Sequence, residues 1–286
     1  MNNHILKTIN MKRTSTYKLF SLVILSGLFA VGMSSCSGGK KAKKEETKAV
    51  EKTIEKEIKE YSYPLVSAFD VTNMLNEIEA SYIVGITNSP EKATDYFSEK
   101  ERAVNLGVYT ADLAYATTYN QKAAVQNYFK ASETLVRELD MTSAFDENLP
   151  DKIEANLDNK DSLVNLVTTM FQNAYAYLNQ QGRTEVSYLV LSGTVIEGLY
   201  LTTHVSENTF QNPKLIKAIL FQKEPLIKLD SMMAEYKDSE MLSDVYQDIV
   251  AINKIFALQE GTTSMTKEQV EKLTDAVTTM RDKFTQ

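Results

Sequence analysis

The chain has 286 residues, 43% of them hydrophobic and 24% charged, which supplies enough apolar surface for a real core and sets it apart from disordered chains. Acidic residues outnumber basic ones 38 to 31, and from residue 61 onward the balance is 32 acidic against 19 basic; that net −13 argues against nucleic acid as a partner. With one cysteine and two histidines in the whole chain, a disulfide-stapled fold, a Cys-rich zinc site and an HExxH zinc site are excluded by residue type.

Residues 19–31 read LFSLVILSGLFAV, an apolar run too short to span a bilayer. Lys12, Arg13 and Lys18 precede it, and the small residues Gly32, Ser34 and Ser35 follow it up to the single cysteine, Cys36. A basic flank, a short apolar stretch and small residues before a cut are the parts of a secretory signal. Met11 begins a normal basic leader by itself and is the alternative start to Met1. The placement of Cys36 after Ser34-Ser35 resembles the lipobox of bacterial lipoproteins. That resemblance covers the leader alone. It implies a signal peptide over 1–35, cleavage before Cys36, and acyl chains of the palmitate type on its sulfur and new amino group. It also implies a bacterial envelope protein anchored to a membrane without spanning it. Ser37 follows the cysteine where an Asp would retain the protein, and no acidic export tag follows. The expected address is therefore the outer membrane, facing the periplasm.

Residues 36–60 form the lipidated cysteine and its tether. Residues 37–60 hold eight Lys and six Glu and no aromatic residue, which predicts a solvated spacer, helical in part where Glu and Lys recur at four-residue spacing. Lys40, Lys41, Lys43 and Lys44 lie nearest the anchor and suit anionic head groups, although a charged spacer for solubility accounts for them equally well. Tyr61-Ser62-Tyr63-Pro64 marks entry into a single helical domain, 61–286.

Apolar periodicity predicts helices over 65–87, 90–118, 121–141, 147–157, 160–181, 184–206, 213–237, 239–260 and 266–284. Ser89-Pro90 and Asn212-Pro213 place a capping side chain before a proline, and Ser98…Glu101 and Thr266…Gln269 fit the capping box. Gly182 and Gly261 stand where helices stop, and Pro225 is expected to kink or break its helix. Asp158-Asn159-Lys160-Asp161 lacks the glycine and final Glu of a calcium loop and reads as a helix-capping turn. Short connections make sequential helices antiparallel neighbours, so the fold class is all-α: an up-and-down bundle of about eight helices. The alternative is a tetratricopeptide-like α-solenoid. The hairpin 103–136 has a faint likeness to that repeat in Leu106-Gly107, Ala124, Tyr128 and Ala131, without a second copy.

One constellation carries chemistry. Residues 188–201, YLVLSGTVIEGLYL, are apolar on every side, the mark of a central helix, and Glu197 is their only ionisable group. Glu197, Tyr200 and His204 share one face, and Gly193 and Gly198 allow a neighbour to approach closely. On the helix expected over 90–118, Asn105, Tyr109 and Asp112 fall at matching intervals. These six residues build either a polar pocket for a small ligand or cation, or a sealed network that fixes how two helices meet. No nucleophile with a base, phosphate loop or metal motif is present, so no cofactor or metal is expected. Tyr115, Tyr119 and Tyr128, and Tyr175 with Tyr177, read mainly as half-buried core. The expected function is binding or scaffolding of an envelope protein partner without catalysis. The rival is a ligand or cation binder, or less readily an enzyme, using Asp112, Glu197 and His204.

Overall fold

Side-chain caps at Ser98, Asn159, Asn212 and Thr266 set four helix starts, and the computed structural model describes residues 63–257 and 264–286, with side chains from 68. The expected signal peptide over 1–35, Cys36, the expected tether to residue 60 and Gly261 lie outside the described residues. Among the described residues every regular element is helical and no strand occurs. The helices are α1 (Tyr63–Glu77), α2 (Glu99–Thr118), α3 (Lys122–Glu138), α4 (Leu149–Ala155) and α5 (Lys160–Gln180). They continue with α6 (Thr184–His204), α7 (Pro213–Phe221), α8 (Lys223–Met233), α9 (Ser243–Ile255) and α10 (Lys267–Thr285).

Both capping boxes form, at Ser98 with Glu101 and at Thr266 with Gln269. Asn212 accepts from the backbone N–H of Lys214 and Leu215 ahead of α7. Asn159 accepts from Ser162 N–H, so the Asp-Asn-Lys-Asp turn caps α5 as expected. Gly182 takes the left-handed conformation, φ 72°, that ends α5. The expected helix 213–237 divides at Gln222. The ring of Pro225 clashes with the carbonyl of Phe221 four residues back, so α7 stops there and α8 begins anew.

Two expected helices are corrected. The 90–118 segment is a short 3-10 turn, Pro90–Thr94, followed by a fresh helix at Glu99, because the Ser98 capping box starts a new N-terminus. Ser89 makes no side-chain cap; its carbonyl instead accepts from Tyr109 Oη at 2.7 Å. The 65–87 segment is helical only to Glu77, and Glu79 turns left-handed at φ 59°. Beyond it, tyrosines of α2 replace the missing helical hydrogen bonds. Tyr119 Oη donates to the Ala80 carbonyl at 2.8 Å, and Ile83 N–H donates to Tyr115 Oη at 3.0 Å. Ile78, Ala80, Ile83 and Ile86 then pack on Leu75, Val205 and Leu215 as a small satellite core.

The bundle is organised around α6. It lies against α2 along much of its length and also touches α1, α5, α7, α8 and α10. A solenoid repeat meets only its sequence neighbours, whereas α6 meets helices from both ends of the domain. The Leu106-Gly107 pair therefore has another purpose. A methyl group at Gly107 would collide with the Val190 carbonyl, and one at Gly193 with the Val104 carbonyl. The two glycines let α2 and α6 cross backbone to backbone, and Thr194 Oγ1 donates to the Gly107 carbonyl at 3.1 Å across the crossing. Gly198 leaves room for the Gln222 side chain, which donates to Thr202 Oγ1 at 2.9 Å. Among the described residues α6 is the one helix long and apolar enough to cross a membrane, yet protein sheathes nearly all of it. Tyr115, Tyr128 and Tyr175 are buried.

Candidate functional site

The polar face expected between α2 and α6 exists, and a third helix completes it. Asp112 on α2 and Glu197 on α6 are both 0% exposed. Two buried carboxyl groups require a counter-charge or a proton. Arg281 of α10, 8% exposed, supplies the charge. Its Nε donates to Glu197 Oε2 at 2.7 Å and one terminal nitrogen donates to Oε1 at 3.1 Å, the two-pronged geometry that guanidinium and carboxylate prefer. The same terminal nitrogen reaches the Ile86 carbonyl at 3.3 Å.

Of the trio, Asp112 is the group whose surroundings favour the protonated form. Burial first, and then the charge of Glu197 beside it, hold its carboxyl well above the usual range, against the pull of Arg281. Its Oδ2 accepts the Asn88 backbone N–H at 3.1 Å. Its Oδ1 has no hydrogen-bond partner among the described residues, and a proton on this carboxyl would give it a donor toward the Glu197 carboxylate beside it. A neutral Asp112, an anionic Glu197 and a cationic Arg281 make an interior cluster with no net charge. Burial acts against the charge on Arg281, but the carboxylate of Glu197 outweighs it and raises the guanidinium pKa.

The other four expected residues extend this cluster in two directions. Asn105 Nδ2 donates to the Phe284 carbonyl at 2.6 Å and to the Glu101 carbonyl at 2.9 Å. Asn88 Nδ2 donates to Asn105 Oδ1 at 3.2 Å and to Tyr96 Oη at 2.9 Å. With Tyr109 held on Ser89, these bonds fasten the 86–98 segment and the end of α10 to α2. Toward the other end, the Arg281 guanidinium lies 3.9 Å from the Tyr200 ring centre, and His204 stacks on that ring at 4.0 Å. His204 Nδ1 donates to the Tyr200 carbonyl at 2.9 Å and its Nε2 lies 3.3 Å from Thr278 Oγ1. Burial lowers the pKa of the imidazole, which favours its neutral form.

Asn105, Tyr109, Asp112 and Glu197 are thus brought together and closed from solvent, while Tyr200 and His204 are half-buried at its edge. His204 reaches a polar cleft of about 760 Å³ between the end of α6 and α10. Asn88, Tyr96 and Arg281 were missed by sequence reasoning. Arg281 had a signal: it sits beside the apolar stripe Val270, Leu273, Val277, Met280 and Phe284, where a lone Arg implies a buried acid opposite. Asn88 lies outside any periodic element and had none. Among the described residues no group of three or more His, Cys, Asp or Glu is placed to hold a metal ion. No protein-family model matches this chain, and neither does a curated protein or a solved structure.

Proposed function

We propose that this protein is a lipid-anchored envelope lipoprotein whose helical domain binds or scaffolds another envelope protein and does no catalysis. The observation that carries the reading is the closure of the Asp112–Glu197–Arg281 cluster. The residues best suited to acid–base work or ligand capture are taken up by one another, so recognition falls to the outer surface of the bundle. The lipobox resemblance at Cys36 supports the address, the outer membrane on its periplasmic side, and the tether gives the domain reach from that anchor.

Growth with a clickable palmitate analogue tests the anchor. The wild-type chain should be labelled and Cys36→Ala should not; equal labelling of both removes the lipoprotein reading. Crosslinking in the native envelope followed by purification tests the scaffold. A recurring protein partner supports it, and recovery of the protein alone at several crosslinker lengths counts against it.

A second reading, a binder of small polar ligands, is favoured by the His204 cleft alone. Asn208, Thr274 and Asp275 line it beside the imidazole. A ligand there should shift the His204 ring resonances in NMR, and Glu197→Gln, about two helical turns away, should leave binding nearly intact. Loss of binding on Glu197→Gln would return the site to the cluster.

A further inference from the structure

Between α3, α4 and α5 the bundle carries an apolar groove that shares no residue with the cluster. The loop between α3 and α4 crosses over α5 and leaves two adjoining hollows of about 330 and 260 Å³. They share Phe145, Leu149 and Met170 and so form one groove with two lobes. The larger lobe is floored by Phe129, Val136, Leu149 and Met170, all nearly buried, so the floor is fixed by the core behind it. Phe145 is half-buried in extended backbone, φ −120° and ψ 149°, and stands between the lobes. A Met-lined, aromatic-flanked slot adapts to a single large apolar side chain.

The rim decides what brings that side chain. Its two basic residues are occupied: Arg137 faces Glu138 and Lys152 pairs with Asp146. Glu133 on α3 and Glu147 before α4 line the larger lobe, are exposed, and have no hydrogen-bond or ion-pair partner among the described residues. Two unpaired carboxylates from different walls flank an apolar slot, on a domain with a large acidic excess. We infer that this groove docks a basic peptide segment of a partner protein that inserts one large apolar side chain between Phe129, Phe145 and Met170. This deepens the scaffold reading and rests on it: the groove is where the partner would be held. The anion-rich rim disfavours an anionic lipid surface and a second copy of this acidic domain.

The test uses the intact protein in a non-ionic detergent and a fluorescent peptide of about a dozen residues, one central Phe among alternating Lys and Ser. Binding by anisotropy is expected, falling about tenfold or more when the Phe becomes Ser or the Lys become Glu. Thr142→Trp, at an exposed position lining the larger lobe, should fill the slot and weaken binding about tenfold. Glu133→Lys with Glu147→Lys should do the same and flatten the salt dependence. Glu224→Lys with Glu235→Lys, exposed on and just after α8, should leave affinity within about twofold. All variants should keep the wild-type helical circular dichroism.

Equal binding of the Phe-free or Glu peptide overturns the inference, as does undiminished binding by Thr142→Trp or an equal loss in the α8 control. Self-association in sedimentation, or binding to anionic phospholipid vesicles, that Thr142→Trp abolishes would also overturn it by assigning the groove to another occupant. If the peptide fails but envelope crosslinks to a partner persist, the scaffold reading stands and the groove is wrong. If the peptide binds by these criteria but no partner crosslinks, the groove stands and the envelope scaffold role is wrong.

Discussion

The Asp112–Glu197–Arg281 cluster and the Phe145–Met170 groove are opposite solutions to one problem. The cluster takes ionisable groups into the core and satisfies each of them from three helices and the 86–89 segment. The groove leaves apolar surface near solvent and two carboxylates at its edge without partners. Chemically promising residues inside a helical bundle are therefore poor guides to function when they complete one another. Residues left incomplete at the surface are better ones.

The sharpest way to break the comparison is at Arg281. Arg281→Met removes the counter-charge and leaves Glu197 ionised and alone in the core, a change expected to cost about 3–5 kcal/mol. Arg281→Met combined with Glu197→Gln should recover much of that loss, since the second change removes the stranded charge. Urea denaturation of the single and double variants measures both. A small loss for Arg281→Met alone would mean that the cluster is wetter and looser than its burial indicates.

A smaller effect is expected at the crossing that closes the cluster. Gly193→Ala drives a methyl group against the Val104 carbonyl of α2, and backbone, unlike a flexible side chain, cannot turn aside. Forced separation of α2 and α6 should cost about 1–3 kcal/mol. It should also admit water to Asp112, seen as faster amide exchange at Asn88, whose N–H rests on that carboxyl. Unchanged stability and exchange would show that the helices are not held apart by sterics.

Much of this was legible in the sequence, for identifiable reasons. Periodicity and caps gave the helices from α3 to α6 nearly to the residue, and the start of α7, because Asn159, Gly182 and Asn212 each satisfy or terminate a helix by strictly local chemistry. The 78–87 stretch was misread as helix because what replaces its helical bonds is remote. Tyr115 and Tyr119 hydroxyls take up its backbone from α2, some 32 to 39 residues along the chain. The site was half legible for the same reason. The α2 and α6 faces showed at three- and four-residue spacing, whereas Arg281, 84 residues beyond Glu197, enters only through the tertiary fold.

The finest test concerns the proton on Asp112. In the unfolded chain this carboxyl titrates near pH 4, and in the folded protein it holds its proton to higher pH because it is buried beside Glu197. The folded state therefore binds more protons than the unfolded state above about pH 4, and stability falls as pH rises from there toward the folded pKa. The slope from one such group is at most about 1.4 kcal/mol per pH unit. Asp112→Asn keeps a donor toward Glu197 and an acceptor for Asn88 N–H but no longer titrates. The variant should match or exceed wild-type stability at neutral pH, and its advantage should shrink as the pH is lowered toward 4. Arg281 faces the group directly, and Tyr109 and Tyr128, which lie near it, have phenol pKa values raised chiefly by burial, so none of these three changes charge in that window. Paired urea titrations across the range measure the difference. A constant gap would mean that Asp112 is ionised in the fold, and the cluster would then carry a net negative charge that Arg281 does not balance.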